Sequence, residues 1–175
     1  NRLKRWQQLL KQSVILDMSL EKQMGLFSEL LCIKDIIYPK FGIEQAIKSW
    51  VGAEADKQDF LLEKLAIEVK SYRSSKGKSV RISSLEQLEL NKDRLLLVAY
   101  GLTEAAQGRD IEDLVKEINE LLKDSKSSLF ELFEAKLIQY GYVPEVTKSP
   151  YLKFLVDKID AYNVKDSFPK ITKEI

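Results

Sequence analysis

Residues 58–73 of the chain decide its fold: they are Gln-Asp-Phe-Leu-Leu-Glu-Lys-Leu-Ala-Ile-Glu-Val-Lys-Ser-Tyr-Arg. In the second half of this stretch, apolar and polar residues alternate. Ile67 and Val69 leave one side of an extended chain, whereas Glu68 and Lys70 leave the other. A period of two is typical of a half-buried strand. The stretch therefore predicts a strand that turns Glu68 and Lys70 toward the same face.

Asp59 lies on the short segment 58–63, which we expect to form the preceding strand. A hairpin could place Asp59 beside Glu68 across the ladder. Two adjacent carboxylates repel each other unless a cation lies between them, and Mg²⁺ suits such a pair because it prefers oxygen ligands. Lys70 could stabilise charge that develops on a phosphate or orient an attacking hydroxide. These residue types suffice for metal-assisted phosphodiester hydrolysis.

The composition excludes several other chemistries. The chain has 175 residues, no histidine and a single cysteine, Cys32. Within this chain there is therefore no histidine base, no His-ligated metal and no internal disulfide. The net charge of +1 argues against a surface that binds polyanions all over, but it leaves room for a local basic patch. No apolar run reaches the roughly 18 residues of a membrane span, so we expect a cytoplasmic protein without membrane contact.

The remaining elements predict an α/β fold with a mixed sheet of about four core strands and helices on both faces. We expect Ser19 to cap the second helix, and Pro39 and Gly42 to end it. The residues Ser74 to Gly77 predict a turn. Helices are predicted at 2–11, 43–50, 110–124 and 128–140, and one more helix is predicted to begin at residue 19. Strands are predicted at 65–73, 80–83 and 94–101, and two short strands are predicted within 151–171.

We expect a single domain over residues 1–175. It divides into an N-terminal helix or linker at 1–18, a core at 19–124 and a C-terminal extension at 125–175, which carries the last helix and the short strands. The chain does not begin with methionine, and we expect it to be a fragment of a longer protein.

Five blocks of sequence, in this order, resemble the PD-(D/E)xK nucleases of the restriction-endonuclease-like superfamily. Within that superfamily they resemble a family associated with bacterial restriction and defence gene clusters. The resemblance covers about residues 20–171, and the ordered blocks are more specific than the Asp…Glu-x-Lys core alone. The blocks are Gly25-Leu26-Phe27-Ser28-Glu29-Leu30-Leu31, Gln58-Asp59-Phe60, Ala66-Ile67-Glu68-Val69-Lys70-Ser71, Arg81-Ile82-Ser83-Ser84-Leu85-Glu86-Gln87-Leu88 and Phe168-Pro169-Lys170-Ile171.

The resemblance implies roles for individual residues. Asp59, Glu68 and the backbone carbonyl of Val69 would hold Mg²⁺, with Mn²⁺ as a substitute, and Lys70 would be the catalytic lysine. Glu29 would be an additional carboxylate on a helix. From its neighbours alone, Glu29 could equally lie at the polar edge of that helix, on the surface. The motif's proline is replaced here by Gln58, a position that the chemistry does not require.

A basic stretch follows the Glu-x-Lys strand. From residue 69 to residue 85 there are five basic residues and no acidic one, which favours contact with a DNA backbone. The alternative is a solvated hairpin with ordinary surface lysines. For Ser83 and Ser84 a helix cap is the simpler interpretation, and the resemblance suggests Gln87 as a further DNA contact. The candidate DNA-binding residues are Arg73, Lys76, Lys78, Arg81 and Gln87.

The sequence thus predicts a metal-dependent DNA endonuclease that acts in prokaryotic restriction or phage defence. The alternative is a nuclease-fold subunit of such a system that binds DNA or acts as a scaffold and does not cut. A pure protein-interaction module would explain none of the five blocks. DNA is the expected partner; a second copy of the chain and other subunits of a defence system stay open.

Overall fold

The computed structural model describes residues 18–52, 58–77, 79, 82, 92–143 and 151–164. The predicted helix at 2–11 and the block at 168–171 lie outside these residues. So does the predicted strand at 80–83, apart from Ile82. The elements are α1 (Leu20–Leu31), a π-helix (Cys32–Ile37), α2 (Tyr38–Ser49), β1 (Phe60–Leu61), β2 (Leu65–Arg73), a 3₁₀ turn (Ser74–Lys76), β3 (Arg94–Arg109), α3 (Ile111–Leu122), α4 (Ser127–Tyr140) and β4 (Phe154–Val164).

The sheet is mixed and its four described strands follow the order β1-β2-β3-β4. β1 is antiparallel to β2, with Phe60 opposite Ile67. β2 runs parallel to β3, with Glu68 opposite Leu97. β3 is antiparallel to β4. A mixed four-stranded sheet flanked by helices confirms the predicted fold class, although the α-helices that the structure describes pack on one face and not on both as predicted.

The core lies mainly on the sheet face that carries Ile67 and Val69. This face packs against apolar side chains of all four helices, among them Phe27 and Phe133, in one cluster. A smaller apolar cluster on the opposite face includes Ala66, next to Glu68 in the strand alternation. β2 is therefore covered on both faces, and the prediction that it is only half-buried is wrong.

The helical region before the sheet begins as predicted. Ser19 caps α1, since its side chain accepts a hydrogen bond from the amide of Lys22 at 3.3 Å. Pro39, however, does not end the helical run. It lies in the first turn of α2, which follows the π-helix without a break. Gly42, with a φ of 78°, interrupts the helical geometry as predicted, and the segment from there to Ser49 is the separate helix predicted at 43–50.

Two predictions for the strands need correction. β3 continues to Arg109, beyond the predicted end at residue 101, because β4 pairs with its polar second half. The tail is a single strand of 11 residues rather than two short ones over the described part. A register shift opposite Gly101 and Leu102 disturbs the alternation that would have shown one continuous strand. In the part of the chain that the structure describes, no helix is long and apolar enough to span a bilayer.

Candidate active site

Asp59 immediately precedes β1, whereas the sequence predicts it within that strand. Its backbone fixes it on two sides. The amides of Val51 and Gly52 donate to its carbonyl at 2.8 and 3.0 Å, and its own amide donates to Ile67 at 3.2 Å. Its carboxylate accepts a hydrogen bond from the amide of Val69 at 2.7 Å. Asp59 is therefore fixed at the edge of β2, one residue from Glu68 along that strand.

The same contact orients the carbonyl of Val69. In a strand, the N–H and C=O of one residue point to the same side, which is why paired residues can exchange both hydrogen bonds. Because the amide of Val69 points at Asp59, its carbonyl is directed to the same edge of β2. The backbone oxygen that the resemblance implies as a ligand thus faces the Asp59 side of the strand.

Glu68 and Lys70 leave the same face of β2, as strand alternation predicts, and form an ion pair of 2.7 Å. Glu68 is almost completely buried, with 1% of its side chain exposed, whereas Lys70 keeps 17% exposed. Neither carboxylate oxygen of Glu68 has a well-directed hydrogen bond among the described residues. Lys70 therefore acts on Glu68 mainly through its positive charge. The other oxygen of Glu68 is buried with no partner of either kind among these residues.

The acidic pair is electrostatically strained. Burial raises the pKa of Asp59 to about 6, although the Val69 amide and the Lys70 ammonium act in the opposite direction. Burial and the neighbouring Asp59 raise the pKa of Glu68 to about 8, against the opposing effect of Lys70. Both carboxyls thus bind protons more tightly than they would in water, and a divalent cation that replaced the protons would stabilise the charged forms.

Glu29 lies inside the protein, which excludes the surface interpretation. It sits on α1 with 5% of its surface exposed. The indole N–H of Trp50 donates to its Oε2 at 2.6 Å, and the hydroxyl of Tyr140 donates to its Oε1 at 3.0 Å. Burial, followed by the charge of Asp59, raises the pKa of Glu29 well above its usual range.

Glycine at position 52 lets Glu29 and Asp59 approach the same point of the backbone. A Cβ atom at Gly52 would lie 2.6 Å from Oε2 of Glu29 and 2.8 Å from Oδ1 of Asp59. Real Cβ atoms essentially never make such contacts, so any larger residue would displace one carboxylate or the other. The strand edge, α1 and the residues after α2 thus meet at this point.

Asp59 and Glu68 could bind a magnesium ion through two carboxylates. They do not form a complete coordination sphere of protein ligands. Among the described residues, no group of three or more acidic or cysteine side chains is arranged to hold a metal ion. Mg²⁺ commonly binds through one or two carboxylates and keeps several waters. Asp59, Glu68 and the carbonyl of Val69 supply such a set, and the unpartnered oxygen of Glu68 is a ligand atom without another use. A direct ligand role for Glu29 stays a prediction.

A cleft of about 750 Å³ opens beside these residues. Its walls include Glu29, Asp59 and Lys70 from the acidic site, and Arg73 and Lys76 from the basic stretch. Two of the predicted DNA contacts therefore line the same cleft as the acidic residues. The other three, Lys78, Arg81 and Gln87, lie outside the described residues.

Sequence reasoning missed three residues around Glu29. It predicts Trp50 and Tyr140 only as the last residues of two helices. Lys136, on α4, is also buried and donates to the carbonyl of Trp50. The available signal was chemical: a buried indole N–H or phenol needs a hydrogen-bond partner. It could not say which partner, because Tyr140 is 111 residues from Glu29.

A mixed sheet whose second strand carries Glu-x-Lys beside an aspartate at the preceding hairpin defines the PD-(D/E)xK class. Comparison with family models agrees. The model of the family described as "Putative PD-(D/E)XK family member, (DUF4420)" matches residues 1–175, and the chain belongs to this family. No curated protein and no solved structure gave a significant match.

Proposed function

We propose that the protein is a Mg²⁺-dependent endonuclease that hydrolyses phosphodiester bonds of DNA in a prokaryotic restriction or phage-defence system, in the cytoplasm. Membership in a PD-(D/E)XK family supports a nuclease-like function. The observation that carries the proposal is the meeting of Asp59, Glu68 and Lys70 at the edge of β2. Arg73 and Lys76 line the cleft that leads there.

Asp59, Glu68 and the Val69 carbonyl are the groups that would hold the ion. A bound Mg²⁺ supplies Lewis-acid stabilisation of the phosphate oxygens and a more acidic water. The protein contributes a preorganised position for the ion, because Asp59 is fixed through both its backbone and its side chain. Burial of Glu68 keeps competing water away from its carboxylate and strengthens the interaction of this charge with a cation.

Lys70 is the candidate for the catalytic cation. Its ammonium lies 2.7 Å from Glu68 and remains partly exposed toward the cleft. A scissile phosphate bound next to Asp59 and Glu68 would therefore lie close to the ammonium group of Lys70. Its positive charge would stabilise the extra negative charge of the transition state or orient the attacking water. Arg73 and Lys76 would hold neighbouring phosphates and fix the position of the DNA strand.

The test is cleavage of plasmid, linear, single-stranded and modified DNA by the full chain, with Mg²⁺, with Mn²⁺ and with a chelator. We expect cleavage with either metal and none with the chelator. Asp59→Asn and Glu68→Gln should abolish it, whereas Glu44→Gln should not, because Glu44 is an exposed partner of Lys48 on α2. Failure of the wild-type protein to cut any of these substrates would contradict the proposal.

The second candidate is a DNA-binding or scaffolding subunit that does not cut. One observation favours it: the ion pair of 2.7 Å with Lys70 already balances the charge of the buried Glu68 carboxylate, so this charge needs no metal cation. In that case the wild-type protein should bind DNA equally well with metal and with chelator. Glu68→Gln should then leave this binding unchanged.

A further inference from the structure

Glu29 is held at the site by two hydrogen bonds from elements far apart in the sequence. Trp50 follows α2, and Tyr140 is the last residue of α4. Each donates to a different oxygen of Glu29, at 2.6 and 3.0 Å. Because an ionised carboxylate only accepts hydrogen bonds, two donors match it chemically. They fix the rotation of the carboxylate as well as its position.

The two donors are themselves held in place. The rings of Trp50 and Tyr140 are stacked with centroids 6.3 Å apart, and Phe133 packs against Trp50 at 6.1 Å. Lys136 donates to the backbone carbonyl of Trp50. Phe133, Lys136 and Tyr140 all belong to α4, so one face of this helix supports the whole arrangement.

Space for the Tyr140 hydroxyl comes from a glycine on α1. A Cβ at Gly25 would lie 2.8 Å from the hydroxyl oxygen of Tyr140, closer than real Cβ atoms approach other heavy atoms. Gly25 lies within a helix, where glycine is intrinsically unfavourable. Because glycine has no side chain, the Tyr140 hydroxyl can pass close to this position and reach Glu29.

A buried acid with no function would be costly to keep. Glu29 lies among Leu26, Leu30 and Ile33, where an apolar side chain would avoid desolvation of a charge. Instead the chain surrounds it with donors and directs it to the cleft that Asp59 also lines. Each oxygen of a carboxylate can accept about two hydrogen bonds, so each retains capacity toward the cleft.

We propose that Trp50 and Tyr140 are positioning residues for metal binding. They fix the Glu29 carboxylate beside Asp59 and thereby raise the affinity of the site for a divalent cation, which makes α4 part of the active site. The inference rests on the proposed function. Groups that orient the acidic and histidine residues of a metal site typically change its affinity about 10- to 100-fold when they are removed.

The experiment is calorimetric titration of the full chain with Mn²⁺, in parallel with thermal melting. Tyr140→Phe removes only the hydroxyl and should weaken Mn²⁺ binding about tenfold. Tyr142→Phe is the matched control, because Tyr142 is buried, packs against Tyr151 with the two rings tilted, and has no contact with Glu29 among those described. It should bind Mn²⁺ like the wild type. Equal Mn²⁺ affinity of Tyr140→Phe and wild type would overturn the inference.

Gly25→Ala separates positioning from stability. Alanine ordinarily stabilises a helix relative to glycine, but here its Cβ would push the Tyr140 hydroxyl away from Glu29. We expect weaker Mn²⁺ binding without a lower melting temperature. Wild-type affinity in Gly25→Ala would count against the positioning role.

A double-mutant cycle shows whether Tyr140 acts through Glu29. If it does, Tyr140→Phe should cause no further decrease of Mn²⁺ affinity in a Glu29→Gln background. The same decrease in both backgrounds would mean a general structural effect and would overturn the inference. If the wild type does not bind Mn²⁺, both the positioning role and the proposed function are overturned. If the wild type binds Mn²⁺ and Asp59→Asn abolishes this binding, the proposed function stands whatever the result for Tyr140→Phe.

Discussion

Asp59 and Glu68 are acidic residues in surroundings that disfavour their charge. Burial raises the pKa of both, to about 6 and about 8, and for Glu68 the charge of Asp59 adds to the effect. The folded protein without metal therefore binds protons that the unfolded chain releases at lower pH. Its stability is greatest below the unfolded pKa values and decreases as pH rises through the folded ones.

This predicts how stability depends on pH in the absence of metal. The free energy of unfolding of the wild type, measured by denaturant titration with chelator, should decrease between about pH 4 and pH 8. Glu68→Gln should flatten the decrease and be more stable than wild type at pH 8 by about 1 to 3 kcal/mol. Glu44→Gln, at an exposed position, should keep the wild-type profile. The same decrease in Glu68→Gln as in the wild type would contradict the raised pKa of Glu68.

Lys70 supplies the second residue-scale prediction. Lys70→Ala should fold normally, because Ile67 and Val69 hold the strand in the core. Mn²⁺ should still bind, since Asp59 and Glu68 remain and a nearby positive charge is gone. DNA cleavage should decrease about a hundredfold or more, if the ammonium stabilises charge that develops only in the transition state.

The control for this variant is Lys48→Ala, at an exposed lysine of α2. It should leave the cleavage rate unchanged. If Lys70→Ala cuts DNA as fast as the wild type, Lys70 has no catalytic role and the scaffolding alternative gains support.

The positions of Glu68 and Lys70 on β2 could be predicted from the sequence because strand alternation is local. Residues two apart share a face, so Glu68 and Lys70 had to be neighbours, and a hairpin brought Asp59 close. The environment of Glu29 could not be predicted in this way. Its partners Trp50 and Tyr140 lie 21 and 111 residues away, and only the packing of α2 and α4 against α1 brings them together.

At the scale of elements, the residues after α2 connect three parts of the site. Trp50 contacts Glu29, and the amides of Val51 and Gly52 hold the carbonyl of Asp59. This short segment therefore sets the distance between α1 and the edge of β2. Its closest approach is at Gly52, where a Cβ would contact both carboxylates.

Gly52→Ala should consequently disrupt the site. The added methyl group must displace Glu29 or Asp59, so we expect Mn²⁺ affinity to decrease at least tenfold, since removal of orienting groups at metal sites typically weakens binding about 10- to 100-fold. The control is Gly108→Ala, whose Cβ would collide with the backbone of Phe154, away from the site. It should lower the melting temperature but not the Mn²⁺ affinity of the folded protein. Wild-type Mn²⁺ affinity in Gly52→Ala would contradict the geometry around Gly52.

Helices and strands could be predicted where a single pattern of apolar residues covered the whole element. The period of two predicted the bounds of β2, and the spacing of the apolar residues predicted α3. The prediction for Pro39 is wrong because a proline in a first helical turn and a proline after a helix look alike in sequence. The prediction of two strands in place of β4 is wrong because an edge strand with a register shift lacks regular alternation.

At the scale of the whole molecule, a nearly neutral chain places basic side chains in one cleft next to the acidic residues Glu21, Glu29 and Asp59. The net charge is +1, yet Lys70, Arg73 and Lys76 all line this cleft. Binding of a polyanion should therefore depend on this surface rather than on the overall charge.

The combined variant Arg73→Ala/Lys76→Ala should weaken DNA binding to a similar extent for all sequences. The dependence of log affinity on log salt should flatten by about 0.9 for each phosphate that the protein no longer neutralises. Binding titrations at several salt concentrations measure both quantities. The control Lys48→Ala/Lys123→Ala removes two exposed lysines outside the cleft and should change neither. Unchanged affinity and slope in the cleft variant would place the DNA path elsewhere.

The central claim is that Asp59 and Glu68 share one divalent cation, and crystals grown with Mn²⁺ would test it most directly. An anomalous difference map should show a peak about 2 to 2.2 Å from a carboxylate oxygen of Asp59, one of Glu68 and the carbonyl oxygen of Val69. The peak should be absent from Glu68→Gln crystals grown in the same way. A wild-type map with no peak between Asp59 and Glu68, or with manganese bound only at other residues, would contradict the claim.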